Sequence, residues 1–227
     1  MAAAAQKATD QIPIVFYSVS DPVRAGFADS IAHPGRNLTG LTNVAGELNG
    51  KRLQLLKQMI PRLEHVFVLG NPTNPYISST LERLGPPAAQ LRLGISLVLA
   101  RNQTELEAAF LRMHQIVPAA VFVTADVDFY LLVEEIARLA MSQRLPSMFP
   151  FSAAVPAGGL MSYGVDEHDD ARHVVTYIDK IFRGSKPGDL PIEQPTKLDL
   201  LVNRKTADLL GLAIPNSIAV QAAQIFS

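Results

Sequence analysis

The feature that most constrains the fold is the stretch over residues 12–43, which opens with a short β-branched and aromatic run. Residues 12–19 are too few for a buried helix, so they predict a strand of a parallel sheet that is covered on both faces. An amphipathic piece follows at residues 23–31, then a turn rich in Pro, Gly and Asn, then an extended segment at residues 38–43. This order predicts an α/β fold from the beginning of the chain.

Small hydroxyl and acidic side chains follow this first strand. Ligands of open α/β sheets bind beyond the carboxyl ends of the strands, so Ser18, Ser20 and Asp21 are candidate ligand contacts. The alternative interpretation is a capped helix start, with Asp21 as N-cap and Pro22 as the first helical residue. For this turn taken alone, the frequency of such caps favours the alternative.

The rest of the chain alternates predicted strands and helices. Apolar runs predict strands near residues 66–69, 95–99, 119–124, 147–151 and 160–163, and the clearest amphipathic helix covers residues 171–182. Gly85-Pro86-Pro87 predicts a break in the helix over residues 76–93, because a proline ring clashes with the preceding turn. Thr104 and Glu107 predict a capping box for the next helix.

Polar residues also follow two later strands. Asn71, Thr73 and Asn74 could hold a ligand carboxylate at the positive end of a helix, although an ordinary turn has the same composition. Thr124 and Asp126 follow the next strand, where Asp126 could pair with a ligand ammonium or simply start a helix. Because turns at one edge of a sheet meet in one crevice, their convergence favours a binding site.

Distinctive motifs are spaced along nearly the whole chain. They read Ile12-Pro-Ile-Val-Phe, Asp21-Pro-Val, His33-Pro-Gly-Arg-Asn-Leu-Thr-Gly-Leu-Thr-Asn, Lys51-Arg-Leu-Gln-Leu-Leu-Lys, Val66-Phe-Val-Leu-Gly-Asn-Pro, Ser162-Tyr-Gly-Val-Asp, Glu193-Gln-Pro-Thr-Lys-Leu and Asn203-Arg-Lys-Thr-Ala. This set resembles the substrate-binding proteins of ABC transporters, in the branch often labelled tryptophan/tyrosine-type. The resemblance implies a type I periplasmic-binding-protein fold, in which two doubly wound parallel-sheet lobes are joined by a hinge and hold a small solute between them.

The resemblance also implies how the chain is divided. Residues 1–43 and 163–195 would form an incomplete first lobe, residues 44–162 a complete second lobe, and residues 196–227 a C-terminal segment that returns across the hinge. Asn43 and Tyr163 would lie near the hinge as further ligand contacts, where Tyr163 offers a ring and a hydroxyl and Gly164 permits a bend. The alternative is a core tyrosine beside a hinge glycine.

Members of the family carry a signal peptide and two or three strand-helix units before the Ile-Pro-Ile-Val-Phe strand, which is roughly 80 residues at ordinary unit lengths. The resemblance therefore implies a truncated first lobe. Its exposed apolar edge predicts a homo-oligomer. The family is periplasmic or lipid-anchored outside the cytoplasm, whereas this chain as written shows no signal peptide pattern and would stay cytoplasmic.

Composition excludes several classes of function. A net charge of −1 without Lys/Arg runs argues against nucleic acid as a partner, and zero cysteines exclude disulfides and thiolate chemistry. Nucleophile-elbow, dinucleotide, P-loop and zinc-protease motifs are absent from the sequence. An enzyme stays open as an alternative because Asp169 and His173 share a helix face within an acidic stretch, as a metal-binding pair would, but the favoured interpretation is a solvated first turn.

The resemblance implies a solute-binding component of an ABC importer, with an ABC permease as partner, and the turns at Asn74 and Asp126 favour an amino acid or similar small zwitterion as ligand. It would capture this ligand without catalysis, and no cofactor or metal is expected. A second alternative is the effector-sensing domain of a transcription regulator with the same fold. That alternative needs a basic helix-turn-helix segment, which neither terminus supplies.

Overall fold

The computed structural model describes residues 2–19, 21–42, 46–113 and 118–227, apart from the side chains of Glu167 and His168. The strands are β1 (Ile14–Val19), β2 (Leu38–Thr42), β3 (His65–Gly70), β4 (Gly94–Leu99), β5 (Ala119–Val123), β6 (Ser147–Phe149), β7 (Met161–Val165), β8 (Leu198–Asn203) and β9 (Gln224–Phe226). The α-helices are α1 (Ala2–Ala8), α2 (Asn49–Met59), α3 (Ile77–Gln90), α4 (Gln103–Met113), α5 (Val127–Leu131), α6 (Val133–Ser142), α7 (Glu167–Phe182), α8 (Arg204–Leu210) and α9 (Asn216–Ala219).

The chain folds into two compact units. Unit 1 consists of Met1–Val44 and Val165–Leu198, and unit 2 of Ala45–Gly164 and Asp199–Ser227. The resemblance places the crossings near residues 43, 164 and 196. In the part of the chain that the structure describes, none of the helices combines the length and the apolar character needed to cross a bilayer.

Unit 1 contains a small parallel sheet. β1 pairs with β2, with Ile14 opposite Leu38 and Phe16 opposite Gly40. On the other side of β2, Thr42 donates its backbone N–H to the carbonyl of Glu193 at 2.9 Å, so the segment after α7 borders the sheet. The buried core of this unit is correspondingly small; its members are Phe16, Phe27, Ala28, Leu38 and Ile192.

Unit 2 contains a seven-stranded sheet in the order β4-β3-β5-β6-β7-β8-β9, and every strand pair with a described register is parallel. Successive side chains of a strand point to opposite faces. Val66 and Val68 accordingly pack into one core with α2 and α3, whereas Phe67 and Leu69 pack into a second core with α4 and α6. The sheet is therefore covered by helices on both faces, as the sequence predicts.

The predicted break in the third helix is wrong. Helix α3 runs continuously over Ile77–Gln90 with Pro86 and Pro87 inside it. Both prolines lie close to the C-terminal end of the helix, and Leu84 and Ala88 on either side of them are buried in the core of unit 2. Burial of these two side chains stabilises the helix enough to offset the backbone N–H groups that the prolines lack.

Two predictions about helix starts also need correction. Helix α4 is capped by Asn102, whose Oδ1 accepts from the backbone N–H of Glu105 at 3.0 Å, and Thr104 lies inside the helix. Glu105 in turn accepts from the backbone N–H of Arg101 at 3.0 Å, which leaves no capping role for Glu107. The segment after β1 forms turns over residues 22–26 in place of the predicted amphipathic helix.

A buried arginine joins α2 to the end of β7 in unit 2. The Arg52 side chain is 1% exposed; its Nε donates to the carbonyl of Tyr163 at 2.7 Å and its Nη1 to Oδ1 of Asn49 at 3.0 Å. Burial lowers the pKa of Arg52 to about 9, because desolvation disfavours the charged guanidinium. The forked guanidinium holds two acceptors at once, and this fixes the backbone at Tyr163 relative to α2.

We expect Pro86→Ala to stabilise unit 2. The change supplies a backbone N–H to the exposed part of α3 and should raise the free energy of unfolding by about 1–2 kcal/mol, after the loss of proline rigidity in the unfolded chain. Urea denaturation followed by circular dichroism measures this. Pro72→Ala, in an exposed turn, is the control and should give no gain. An unchanged midpoint for Pro86→Ala would show that the helix ends before Pro86 in solution.

Arg52→Lys should lower the free energy of unfolding by about 2–4 kcal/mol, because one ammonium nitrogen does not reproduce the two separate nitrogens, Nε and Nη1, that bind Tyr163 and Asn49. The control is Arg138→Lys, which changes an exposed arginine paired with Glu135 at 2.6 Å. Exposed ion pairs contribute little, so its urea midpoint should barely move. Equal effects of the two substitutions would contradict the structural role of Arg52.

Candidate functional site

The carboxyl ends of β3 and β5 lie side by side in unit 2 and carry a cluster of polar side chains. Asn71 follows β3 directly, and its Nδ2 donates to Oδ1 of Asp126 at 3.1 Å and to Oδ2 of Asp128 at 2.9 Å. Asn74, in the same turn, donates from Nδ2 to Oδ2 of Asp126 at 2.8 Å. The turn after β3 is therefore bonded to the turn after β5.

The orientation of the Asn71 amide is set on its other side. Its Oδ1 accepts from the backbone N–H of Thr73 at 3.0 Å and from Oγ1 of Thr73 at 2.8 Å. Because this oxygen accepts both bonds, the amide nitrogen must face the two carboxylates. Asn71 itself is buried, with 1% of its surface exposed, whereas Thr73 and Asp128 are exposed to solvent. We call Asn71, Thr73, Asn74, Asp126 and Asp128 the edge cluster.

Asp126 has a local role as well as its role in the edge cluster. It is the N-cap of α5, in an extended conformation, and its Oδ1 accepts from the backbone N–H of Asp128 at 2.9 Å. The helix-start interpretation of Asp126 therefore holds, and the same carboxylate also binds both asparagines. One side chain thus caps a helix and connects two strand ends.

The edge cluster carries negative charge. None of the ion pairs among the described residues includes Asp126 or Asp128, and the hydrogen bonds described for both carboxylates come from neutral amides. A carboxylate has about four acceptor positions, and the described contacts give Oδ2 of Asp126 a single donor, Asn74. The cluster therefore favours a cationic group at the edge of the sheet.

Thr124 and Tyr163 stay outside the hydrogen bonds of the edge cluster that the structure describes. Thr124 is buried, and its Oγ1 donates to the carbonyl of Leu69 at 2.9 Å, which ties β5 to β3. Tyr163 is half-buried against the core shared with α2. A Cβ on Gly164 would lie 2.2 Å from the carbonyl oxygen of Pro150, so close backbone approach is the requirement for glycine there.

Two of the four remaining candidates belong to described parts of unit 1. Ser18 is exposed in a left-handed backbone conformation with φ of 61°. The Asp21 Oδ1 accepts from the backbone N–H of Arg24 at 2.9 Å, so Asp21 caps the turn that follows it. Ser20 and Asn43 lie outside the described residues. Ligand contact by any of the candidate residues remains a prediction.

Asp128 and an aromatic pair at the same edge of the sheet were not among the residues predicted from the sequence. Tyr130 on α5 and Phe151 after β6 meet edge to face, with ring centroids 5.2 Å apart. The Asp-x-Asp spacing after a predicted strand was available as a signal for Asp128. Nothing local links Tyr130 to Phe151, because their contact depends on the neighbouring positions of β5 and β6.

The enzyme alternative rests on Asp169 and His173 near the start of α7, and these two side chains lie close together. Nε2 of His173 lies 3.9 Å from Oδ2 of Asp169, and its Nδ1 lies 3.6 Å from Oε2 of Glu193. Within the described ranges, no group of three or more His, Asp or Glu side chains is arranged to hold a metal ion.

Comparison with known proteins connects this architecture to a family. A curated tyrosine-binding protein of Clostridioides difficile is 22% identical over 211 residues, which are 93% of this chain and 60% of the relative. The chain therefore spans less than two thirds of that protein's length. A conserved domain protein from Vibrio cholerae has a TM-score of 0.86 at 25% identity, covering 99% of this chain and 75% of that one.

A second solved structure shares the fold. An ABC domain from Streptococcus pneumoniae in complex with L-Trp has a TM-score of 0.85 at 23% identity, covering 97% of this chain and 74% of that one. The sequence model of the ABC transporter substrate binding protein family matches residues 1–226. With a parallel α/β architecture and a family match over almost its whole length, the chain belongs to the ABC transporter substrate-binding protein family.

Proposed function

We propose that this chain is the solute-binding component of an ABC importer and that it captures an amino acid, in particular an aromatic one, without chemical change. The observation that carries the proposal is the edge cluster. It places two carboxylates, fixed by neutral amides, at the carboxyl ends of parallel strands. This is the position at which open α/β sheets bind their ligands.

The ammonium group of the ligand would bind at Asp126 and Asp128. An ammonium forms charge-assisted hydrogen bonds with carboxylates, which are stronger than neutral ones. Because Asn71 bonds to both acids, they are held in place before the ligand arrives, and little ordering remains for the binding step. The cluster is thus suited to a cationic ligand group without large rearrangement.

The carboxylate of the ligand would bind at the turn that contains Thr73 and Asn74. This turn leads into α3, which begins at Ile77, so its backbone N–H groups lie towards the positive end of the helix dipole. The Asn74 amide nitrogen carries two N–H groups, and its described hydrogen bond to Asp126 uses one of them. Opposite ends of one zwitterion would then meet opposite charges.

Two observations support an aromatic side chain on the ligand. The named relatives are a tyrosine-binding protein and a domain solved with L-Trp. In this chain, the Tyr130–Phe151 pair lies one helical turn from Asp126, and Tyr130 is 44% exposed. Aromatic rings prefer edge-to-face and offset contacts, so this pair offers a surface for a third ring.

The proposed role in transport rests on family membership. We propose an ABC permease as partner and an extracytoplasmic location for the mature protein, as expected for a family that delivers solutes to importers. Capture alone requires no bond to be made or broken. Of the candidates outside the edge cluster, Thr124 and Tyr163 on unit 2 and Ser18 and Asp21 on unit 1 stay proposed ligand contacts.

Asp126→Asn should weaken amino-acid binding roughly tenfold or more, because it removes a charge that the ligand ammonium requires. Asparagine caps helices as well as aspartate does, so the N-terminus of α5 should stay folded. Isothermal titration with L-Tyr, L-Trp and L-Ala measures affinity and preference together, and thermal unfolding without ligand checks the fold.

The matched control is Asp208→Asn, which removes one negative charge from an exposed position on α8 of the same unit. Its affinities should equal those of the unchanged chain. Equal affinity for Asp126→Asn and the unchanged chain would exclude Asp126 as the ammonium contact. Absence of any heat or thermal shift with all three amino acids would contradict the proposed ligand class.

A further inference from the structure

Helix α7 of unit 1 has two apolar faces, and the unit buries one of them. Tyr177 is 2% exposed and donates its hydroxyl hydrogen to the carbonyl of Pro191, so this face lies against the unit's own chain. Burial raises the pKa of the Tyr177 phenol, and the nearby charge of Glu193 adds to the effect. Together these contacts fix the rotation of α7 about its axis.

The second apolar face of α7 is open to solvent. Val175 is 64% exposed, Ile178 37% and Phe182 86%, and Ala171 is exposed on the same side. These four residues define what we call the outer stripe. An exposed phenylalanine at the end of a continuous apolar row is unusual for a solvent-facing helix, and such rows mark interaction surfaces.

The outer stripe has the spacing of a helix-packing seam. Its members are separated by four, three and four residues, which is the a/d pattern of a coiled coil. Helix α7 has 16 residues and is therefore about 24 Å long, enough for a seam of this length. The stripe thus fits another helix along its whole extent.

We propose that the outer stripe binds a second copy of this chain, with the two α7 helices packed antiparallel about a two-fold axis. The sizes of the side chains favour a copy of the same helix. The row runs from Ala171, the smallest, to Phe182, the largest, so antiparallel alignment sets each phenylalanine against the partner's alanine. Val175 then packs against the partner's Ile178, two side chains of similar size.

Charges beside the stripe are complementary in the same alignment. Arg172 directly follows Ala171, and Asp179 directly follows Ile178, so both occupy the same flanking position beside the outer stripe. Their side chains are 71% and 54% exposed. Flanking positions of this kind face each other in an antiparallel helix pair, so each Arg172 meets the partner's Asp179. In a parallel pair these two flanking positions would not face each other, so the contact between Arg172 and the partner's Asp179 is specific to the antiparallel alignment.

Each flanking charge also has a partner on its own helix. Arg172 lies 3.8 Å from Asp169, and Asp179 lies 3.0 Å from Arg183. In the dimer these pairs would join into a network along one side of the seam, which favours the antiparallel register more than a single exposed pair can. The proposal concerns unit 1 and is independent of ligand binding by the edge cluster of unit 2.

Sedimentation velocity of the 227-residue chain, from about 1 to 200 μM, tests the proposal, because a seam of one helix pair is small and should dissociate on dilution. Val175→Glu places a charge in the middle of the seam and should raise the dimer dissociation constant by roughly tenfold or more. Leu111→Glu is the matched control, since Leu111 on α4 is 63% exposed but lies in unit 2; it should leave the dissociation constant unchanged.

A charge swap tests the alignment separately. Arg172→Asp alone should weaken the dimer through repulsion with the partner's Asp179, and the double variant Arg172→Asp with Asp179→Arg should restore it in part. Circular dichroism of each variant at low concentration checks that α7 stays folded. A strict monomer at all concentrations would overturn the proposal. So would a dimer that Val175→Glu leaves intact, or one that Val175→Glu and Leu111→Glu weaken equally.

Discussion

The structure of unit 2 depends on one constraint: a parallel sheet that is covered on both faces. Each strand must divide its side chains between two apolar cores, as Val66 and Phe67 do on β3. Polar groups are therefore displaced from the strands to their ends. Because all strands with described registers run in the same direction, the turns after β3 and β5 come together at one edge, where Asn71 joins Asp126 and Asp128.

The same constraint explains how buried polar groups are accommodated. No buried side-chain nitrogen or oxygen among the described residues lacks a hydrogen-bond partner. Arg52 illustrates the cost of such a position, since burial lowers the pKa of its guanidinium to about 9. Its bonds to Tyr163 and Asn49 offset part of that cost and make the helix-to-strand contact specific. Asn71 likewise makes a specific contact through its hydrogen bonds, between the turns of the edge cluster, and its side chain is neutral.

Much of the fold was accessible from sequence, and the errors have identifiable physical causes. Short apolar runs located the strands, and motif spacing indicated the family. The turns that contain Asn71 and Asp126 are joined by hydrogen bonds, whereas Thr124 and Tyr163 stay outside the described bonds of the edge cluster. The predicted break at Pro86 was wrong because burial of Leu84 and Ala88 outweighs the local preference. The cap of α4 was misplaced because a second, equally good cap, Asn102, lies two residues earlier.

By itself, the sequence determined which residues are apolar, with which period they recur and where turns interrupt them, because these properties depend on neighbours along the chain. Only the tertiary structure decided which apolar face of α7 is buried. The spacing of apolar residues is compatible with burial of either face, and the face that carries Tyr177 is the one packed against the unit. It also decided that Asn71 bonds to Asp128, and that Tyr130 meets Phe151. These contacts depend on the lateral order of strands, which local sequence does not encode.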